Sequence, residues 1–349
     1  MAKKRVLLGL SGGLDSAAAA RILKSQGYDI LGVFMRLGLD SSEDEAYARQ
    51  TCEFLGVEFY PVNVAENFQK EIIQYFVDSY ARGLTPNPCI KCNQVIKFRE
   101  LVKLADVLGI PLIATGHYAR IKSDKKGFRL FRGRDRSKDQ SYFLYRLSQL
   151  ELARILFPLG EYSKEYIKSW AQNKNLVFND SESQDICFIP GDHNEFLKNR
   201  IDLRSGPIKT LDGRTVGEHK GLPLYTIGQR RGVDVGGIGP LYVVKPDYKN
   251  NILYVTDNSR DPALFNSRVV IKDVNWISGS EPDLSLEAQA ITRYGQKEQA
   301  ALVKKASKGA YMIEFSEKQR AITPGQSAVI YQEDEVIGGG VIDHTRDKD

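Results

Sequence analysis

The sequence predicts an α/β protein in three parts: a parallel-sheet domain, a small middle domain and a β-rich C-terminal domain. Three observations lead there. Apolar strand-like runs alternate with amphipathic helical segments through the first half, and turn signals multiply after about Leu203. The length, 349 residues, suits two to three domains at roughly 150 residues each. With 42% apolar and 27% charged residues the chain has the makings of a real core, which excludes disorder over most of its length. No run reaches the roughly 18 apolar residues of a spanning helix. Only five apolar or glycine residues separate Arg5 from Ser11, short of the about 7–15 that a signal peptide needs. Four cysteines in so long a chain do not make a disulfide scaffold. A cytoplasmic protein without membrane contact is expected.

The elements follow in order. Residues 5–9 read as a strand, 15–26 as an alanine-rich helix closed by Gly27, 30–35 as a strand and 43–55 as a helix. A third strand spans 57–64, interrupted by Pro61 near its end; helices at 66–80 and 95–108 and a strand at 111–115 follow, with a last helix at 164–174. Strands and helices alternating at these lengths imply a parallel sheet covered on both faces. Beyond it, Ser205-Gly206-Pro207, Asp212-Gly213, Gly236-Gly237-Ile238-Gly239-Pro240 and Asn250-Asn251 punctuate short apolar runs, and 241–245 with 252–256 reads as a hairpin. Strand-like pieces at 269–274, 286–294, 310–315 and 326–331 are spaced for a small barrel. The expected domains are 1–202, 203–266 and 267–349.

The sharpest local feature is Gly9-Leu10-Ser11-Gly12-Gly13-Leu14-Asp15-Ser16, which leaves the first strand and opens the first helix. Such a junction offers free backbone N–H groups and the positive end of a helix dipole, and adjacent glycines let an oxyanion approach the backbone. A phosphate is the natural occupant. The plainer reading is an ordinary strand-to-helix turn capped by Asp15 or Ser16. There is no Gly-Lys-Ser/Thr of a Walker loop and no Gly-x-Gly-x-x-Gly of a dinucleotide site. The pattern Ser-Gly-Gly-x-Asp-Ser resembles the loop of the ATP-pyrophosphatases, which split ATP into AMP and pyrophosphate.

From Arg120 to Arg146 ten basic residues face only Asp124, Asp135 and Asp139, a net of +7 that exceeds the +5 of the whole chain. Composition permits a solvated hairpin or a polyanion contact, with Phe128, Phe131, Tyr142 and Tyr145 as stacking groups.

Cys89 and Cys92 lie in Thr85-Pro86-Asn87-Pro88-Cys89-Ile90-Lys91-Cys92-Asn93, read as a loop before a helix that starts near Asn93. That helix would set its positive end beside Cys92 and lower its thiol pKa. Cys187 sits far along the chain in Ser183-Gln184-Asp185-Ile186-Cys187-Phe188, and Cys52 reads as core. Inert thiols would not need a Cys-x-x-Cys between prolines. A zinc site lacks a fourth ligand, since His117 and His193 have no ligand spacing to the cysteines. A nucleophile paired with a sulfur carrier, and three ligands of an iron–sulfur cluster with one iron open, both remain.

Taken together these residues resemble the tRNA-specific 2-thiouridylases, the MnmA/TrmU-type family that makes 2-thiouridine at the wobble position. The likeness runs through the glycine loop, Thr-Pro-Asn-Pro, Ala114-Thr115-Gly116-His117-Tyr118-Ala119-Arg120 and Lys138-Asp139-Gln140-Ser141-Tyr142-Phe143-Leu144. It continues through the Cys187 segment, Tyr225-Thr226-Ile227-Gly228-Gln229-Arg230, Arg293-Tyr294 and Pro324-Gly325-Gln326. It implies an adenine-nucleotide α-hydrolase-like (PP-loop ATP pyrophosphatase) domain, a small central tRNA-contacting domain and a C-terminal β-barrel. By the same resemblance Gly9 to Ser16, Met35 and Gly116 line an ATP site, and Asn87, Pro88 and Cys89 meet the target base. Cys92 matches the catalytic nucleophile and Cys187 the persulfide-bearing cysteine. His117, Lys138, Asp139, Gln140, Arg293, Tyr294 and Gln326 match tRNA contacts, so the basic segment reads as phosphate contacts.

Also implied are ATP, Mg²⁺, the anticodon stem-loop of a tRNA, and a sulfur-donor protein, either a cysteine desulfurase or a relay protein. Many members carry Asp where this chain has Cys89. Members with three cysteines have been linked to a [4Fe-4S] cluster held here by Cys89, Cys92 and Cys187, so relay and cluster both stay open. The expected reaction adenylates the uridine O2 and then replaces it by sulfur. Another ATP-pyrophosphatase, such as a lysidine or amide synthetase, would share the loop but not need paired cysteines. A non-catalytic RNA-binding protein would not need the loop.

Overall fold

The computed structural model describes residues 4–179, 186–189, 191–233, 235, 239–283 and 285–345. Ser183, Gln184 and Asp185 of the Cys187 motif, and Gly236, Gly237 and Ile238 of one expected turn, lie outside the described residues.

Val6, Leu7 and Leu8 are consecutive and fully buried, as a strand covered on both faces must be. They belong to β1 (Arg5–Leu10), the centre of a parallel sheet with β2 (Asp29–Arg36), β3 (Glu58–Asn63), β4 (Leu112–Ala114) and β7 (Ile155–Leu156), in the order β3-β2-β1-β4-β7. The helix Leu14–Ser25 buries four alanines in a row, Ala17 to Ala20, whose small side chains let it lie close against its neighbours. The helix Ser42–Leu55 buries Cys52, and burial pushes that thiol up to about 11.

One expected boundary is corrected. The segment carrying Cys89 and Cys92 is a helical run, Pro88–Cys92, Asn93–Phe98 and Arg99–Val107, and no loop before a helix at 95. Asn87 caps it, accepting the Ile90 N–H at 3.3 Å, and Pro88 takes the first helical position, where it has no donor to lose. The two prolines therefore start a helix here.

The middle part is a four-stranded sheet of β8 (Gly206–Thr210), β9 (Thr215–His219), β10 (Tyr242–Asp247) and β11 (Ile252–Thr256), in the order β10-β11-β8-β9. Its small core holds Ile208, Leu222, Val243, Leu253 and Val255 around buried His219. The His219 Nδ1 accepts the Gly221 N–H at 3.2 Å, and its Nε2 donates to the Asn251 carbonyl at 3.2 Å, which specifies a neutral ring. Burial lowers its pKa, as it does for His193 and, to about 3, for His117. Histidines harder to protonate folded than unfolded contribute stability that is whole above the ordinary value of about 6.5 and is lost as pH falls below it. The melting temperature should thus drop between pH 7.5 and 5.5, with a smaller drop in His219→Gln. An unchanged pH slope in that variant would remove His219 from the account.

The C-terminal part is a closed barrel of six strands: β12 (Phe265–Trp276), β13 (Leu286–Ile291), β14 (Gln299–Ser307), β15 (Ala310–Arg320), β16 (Ser327–Gln332) and β17 (Glu335–Thr345). The order β12-β15-β14-β13-β16-β17 closes through β12 and β17. β14 and β17 were not expected; β17 carries Gly338, Gly339 and Gly340, which weaken a strand pattern.

The basic segment forms a hairpin, β5 (Ala119–Asp124) and β6 (Gly127–Arg132), and β6 pairs with β17 to extend the barrel sheet to eight strands. Much of its charge is met by acids of the protein and is not left over for phosphate. Arg120 pairs with Asp334 at 3.0 Å and Arg146 with Asp273 at 2.5 Å, while Arg129 meets Glu335 and Arg136 meets Asp334. Arg132 is buried 3.5 Å from the Asp139 carboxylate and lies 3.6 Å over the Tyr331 ring. These five arginines bind the first domain to itself and to the barrel. Lys122, Lys125, Lys126, Arg134 and Lys138 are the cations of the segment without an ion pair among the described residues. Also among the described residues, no helix is long and apolar enough to cross a membrane.

Candidate active site

The glycine loop sits where β1 ends and the helix Leu14–Ser25 begins, with Gly13 in the cap position and no side chain bonded across the helix start. Gly12 has φ +81°, and a side chain there would strike the Asp44 backbone. The Ser16 hydroxyl donates to the Gly13 carbonyl at 2.9 Å, accepts the Ser11 N–H at 3.1 Å and lies 3.2 Å from the Ser11 hydroxyl. Asp15 does not cap the helix. Its Oδ1 accepts the Tyr118 hydroxyl at 3.0 Å and Lys164 Nζ at 2.5 Å. Gly116, after β4, lies so near the loop that a Cβ on it would sit 2.8 Å from the Asp15 carbonyl. Met35, at the end of β2, is half-buried between the core under β4 and the aromatic cluster of Phe68, Phe76 and Phe188.

Residues 85–92 are held by all three parts of the chain. The Thr85 N–H donates to the Pro324 carbonyl at 2.9 Å, and its hydroxyl lies 3.2 Å from that of Thr226 in the middle domain. Gln326 of the barrel is buried and donates to the carbonyls of Thr85 at 3.1 Å and Pro86 at 3.4 Å. The Tyr142 hydroxyl, which donates to the Ser327 carbonyl at 2.9 Å, feels the Asn87 side chain, and the charge of Arg293 acts on Tyr142 and Tyr80. Tyr294 is half-exposed, its ring 4.4 Å from Phe143. Arg293 and Tyr294 therefore come from the barrel to the edge of the segment expected to meet the base.

The thiols differ in environment. Cys92 closes the turn Pro88–Cys92 inside the helical run, is buried, and its thiol is pushed up to about 12, mainly by burial. The expected lowering by a helix N-terminus is thereby overturned: the N-terminus falls at Pro88, near Cys89, and desolvation of a thiolate outweighs what remains of the dipole. Cys187 is exposed, and the next residue, Phe188, is anchored edge-on to Phe76 and Phe68 at 5.4 and 5.8 Å. Cys92 feels the charge of both Cys89 and Cys187, so the three belong to one neighbourhood. Among the described residues no three His, Cys, Asp or Glu side chains converge as metal ligands.

Lys97 was given no role by sequence reading. It is exposed, and its charge opposes thiol protonation at Cys92 and Cys187 while lowering the pKa of His117. It stands five residues beyond Cys92, and the wide turn Asn93–Phe98 brings residues at that spacing toward one face. Sequence patterns do not announce such a turn. Of the other expected tRNA contacts, Lys138 is exposed. Asp139 is buried and accepts from the N–H groups of Gly133 and Ser141 at 2.9 and 3.1 Å, and Gln140 accepts the Tyr118 N–H at 3.0 Å. His117 bonds the Thr115 hydroxyl at 2.7 Å and stacks on Phe98 at 5.8 Å.

A glycine loop at a helix N-terminus and, apart from it, three thiols in one neighbourhood fit an ATP-using enzyme that handles sulfur. The chain matches three family models in succession: tRNA methyl transferase HUP domain over residues 4–191, tRNA methyl transferase PRC-barrel domain over 194–257, and aminomethyltransferase beta-barrel domain over 266–342. It is 41% identical to tRNA-specific 2-thiouridylase MnmA 1 of Geobacillus kaustophilus, over 98% of this chain and 96% of that one. It is 42% identical to tRNA-specific 2-thiouridylase MnmA of Carboxydothermus hydrogenoformans, over 98% of each. The chain belongs to the MnmA family of tRNA-specific 2-thiouridylases.

Proposed function

We propose that the chain converts the wobble uridine of tRNA to 2-thiouridine by adenylating O2 and passing sulfur from Cys187 with the help of Cys92. The observation that carries this is the pairing of an exposed Cys187 with a buried Cys92 in one electrostatic neighbourhood. An exposed cysteine suits loading with sulfur by a donor protein, and a buried one suits a single later attack shielded from solvent.

ATP would lie on the N–H groups of the loop from Ser11 to Ser16, its phosphates at the helix N-terminus. The uridine O2 attacks the α-phosphorus and pyrophosphate leaves, with Lys164 beside the loop to offset charge. Mg²⁺ supplies further neutralisation when bound, and Asp15 Oδ2, which takes neither the Tyr118 nor the Lys164 bond, is the acceptor in the loop that fits it. The terminal sulfur of a Cys187 persulfide then attacks C2 and AMP leaves. The Cys92 thiolate attacks the Cys187 sulfur, releasing the base as its thiolate and leaving a Cys92–Cys187 disulfide that a thiol reductant reopens. Burial holds both thiols protonated, and the charge of Lys97 offsets part of that at each. The base must leave its stack to reach this chemistry, which suits an anticodon loop.

The presence of Cys89 favours a second reading, three thiolate ligands of a [4Fe-4S] cluster. As placed, the side chains do not converge as that ligand set, and no step is assigned to it. Anaerobically purified protein decides between the two. Thiolation of unmodified tRNA without bound iron, retained in Cys89→Asp, is the expected result. About four irons per chain, lost with activity in Cys89→Ala, would establish the cluster instead. Pyrophosphate release that ignores tRNA would overturn both.

A further inference from the structure

A surface cleft of about 1140 Å³ opens between residues 134–138 and the start of the helix Lys164–Asn173. It adjoins the glycine loop through Lys164, and neither the sequence reading nor the family likeness assigns it a ligand beyond Lys138. Its charge is lopsided in availability. Arg134 and Lys138 are exposed and without an ion pair among the described residues. Of the acids, Asp135 is occupied by the Ser137 hydroxyl at 2.6 Å and the Lys164 N–H at 2.9 Å, and Glu161 lies 3.8 Å from Arg120; Glu165 is the third. An aromatic pair stands in the same wall. Tyr162 and Tyr166 stack at 5.5 Å with planes 10° apart; Tyr162 packs on the core, while Tyr166 is 50% exposed.

Exposed cations spaced along a cleft, beside a rigidly backed and open aromatic ring, match a sugar–phosphate backbone with an unpaired base. A free small anion would use the cations but leave the ring idle, and a duplex would offer the ring no face to stack on. We propose that this cleft is a second tRNA-binding site, in which an unpaired nucleotide of the tRNA stacks on Tyr166 while its flanking phosphates lie on Arg134 and Lys138. The inference rests on the tRNA-modifying reading above and adds a place for a nucleotide other than the one that reacts.

The test is binding of unmodified tRNA to the full chain across a salt series, with thiolation measured in parallel. Tyr166→Ala should weaken tRNA binding about tenfold, and Tyr166→Phe, which keeps the ring, should bind within twofold of wild type. Arg134→Gln should lower the slope of log affinity against log salt by about one. Tyr166→Ala and Arg134→Gln proteins that bind like wild type, with unchanged slope, would overturn the site while wild-type thiolation leaves the function intact. Equal weakening in Tyr166→Ala and Tyr166→Phe would also overturn it, since loss of the hydroxyl alone would then explain the effect. Wild-type protein that neither binds nor thiolates tRNA would fail the functional reading itself.

Discussion

Cys187→Ser protein should still release pyrophosphate in the presence of tRNA and ATP while 2-thiouridine formation falls by roughly 10³-fold or more. In the proposed mechanism the two halves of the reaction use separate groups. Adenylation depends on the loop from Ser11 to Ser16 with Lys164 and Tyr118 on Asp15, and none of these touches the cysteine. Serine at 187 is nearly isosteric and exposed, so the Phe188 anchor and the fold should survive. Cys92→Ser should behave differently: a persulfide loaded on Cys187 reaches C2, but no thiol arrives to release the product. A covalent tRNA–protein adduct, sensitive to reductant, should accumulate and be visible on a denaturing gel. Full thiolation by Cys187→Ser would remove this residue from the chemistry. Loss of pyrophosphate release in both variants would place the cysteines in the first half-reaction instead.

Gly116→Ala should raise the KM for ATP at least tenfold and destabilise the chain by about 1–3 kcal/mol. The new Cβ would fall 2.8 Å from the carbonyl carbon and oxygen of Asp15 and 3.0 Å from the Ser16 N–H nitrogen. These are backbone atoms of the loop, so no side chain can swing away. Either the first turn of the helix Leu14–Ser25 moves off its phosphate geometry, or β4 shifts in the sheet. Gly239→Ala serves as the control, since among the described residues nothing lies within 4 Å of its Cβ, and a stability change within roughly 0.5 kcal/mol is expected there. Nucleotide titration by calorimetry and thermal melts check the pair. Wild-type ATP affinity in Gly116→Ala would show that the loop yields without loss, and would weaken its assignment as the nucleotide cradle.

Much of the first domain was readable because its signals are local. The glycine loop, the alanine helix behind it and the apolar strands carry their periodicities within a dozen residues each, and the structure places β1 and the helix Leu14–Ser25 where those signals put them. The cysteine segment was misread for a local reason too. Pro86 and Pro88 suggested an extended loop, yet Pro88 is at home in a first helical turn, and Asn87 supplies the cap. That shift moves the helix N-terminus from beside Cys92 back to Pro88, and burial then pushes the Cys92 thiol up where a lowering was expected. The barrel was half-legible: its triple-glycine strand resembles a breaker until its partners β12 and β16 are seen beside it.

Legible in the sequence were the candidate groups: a glycine loop, three cysteines outside the core helix and a family likeness whose motifs run the length of the chain. Those are identities and short spacings, and one chain is enough to display them. What the charges and polar groups do follows from packing between distant segments. Arg120, Arg129, Arg132, Arg136 and Arg146 look alike in sequence to Arg134 and Lys138. The difference is that Asp139, Asp273, Asp334 and Glu335 meet the first five, three of these acids from more than a hundred residues away. In the same way Gln326, from the barrel, reaches the carbonyls at Thr85 and Pro86. Whether an ionic or hydrogen-bonding group faces solvent or a partner depends on which distant segment packs against it. That pairing is a property of the folded chain.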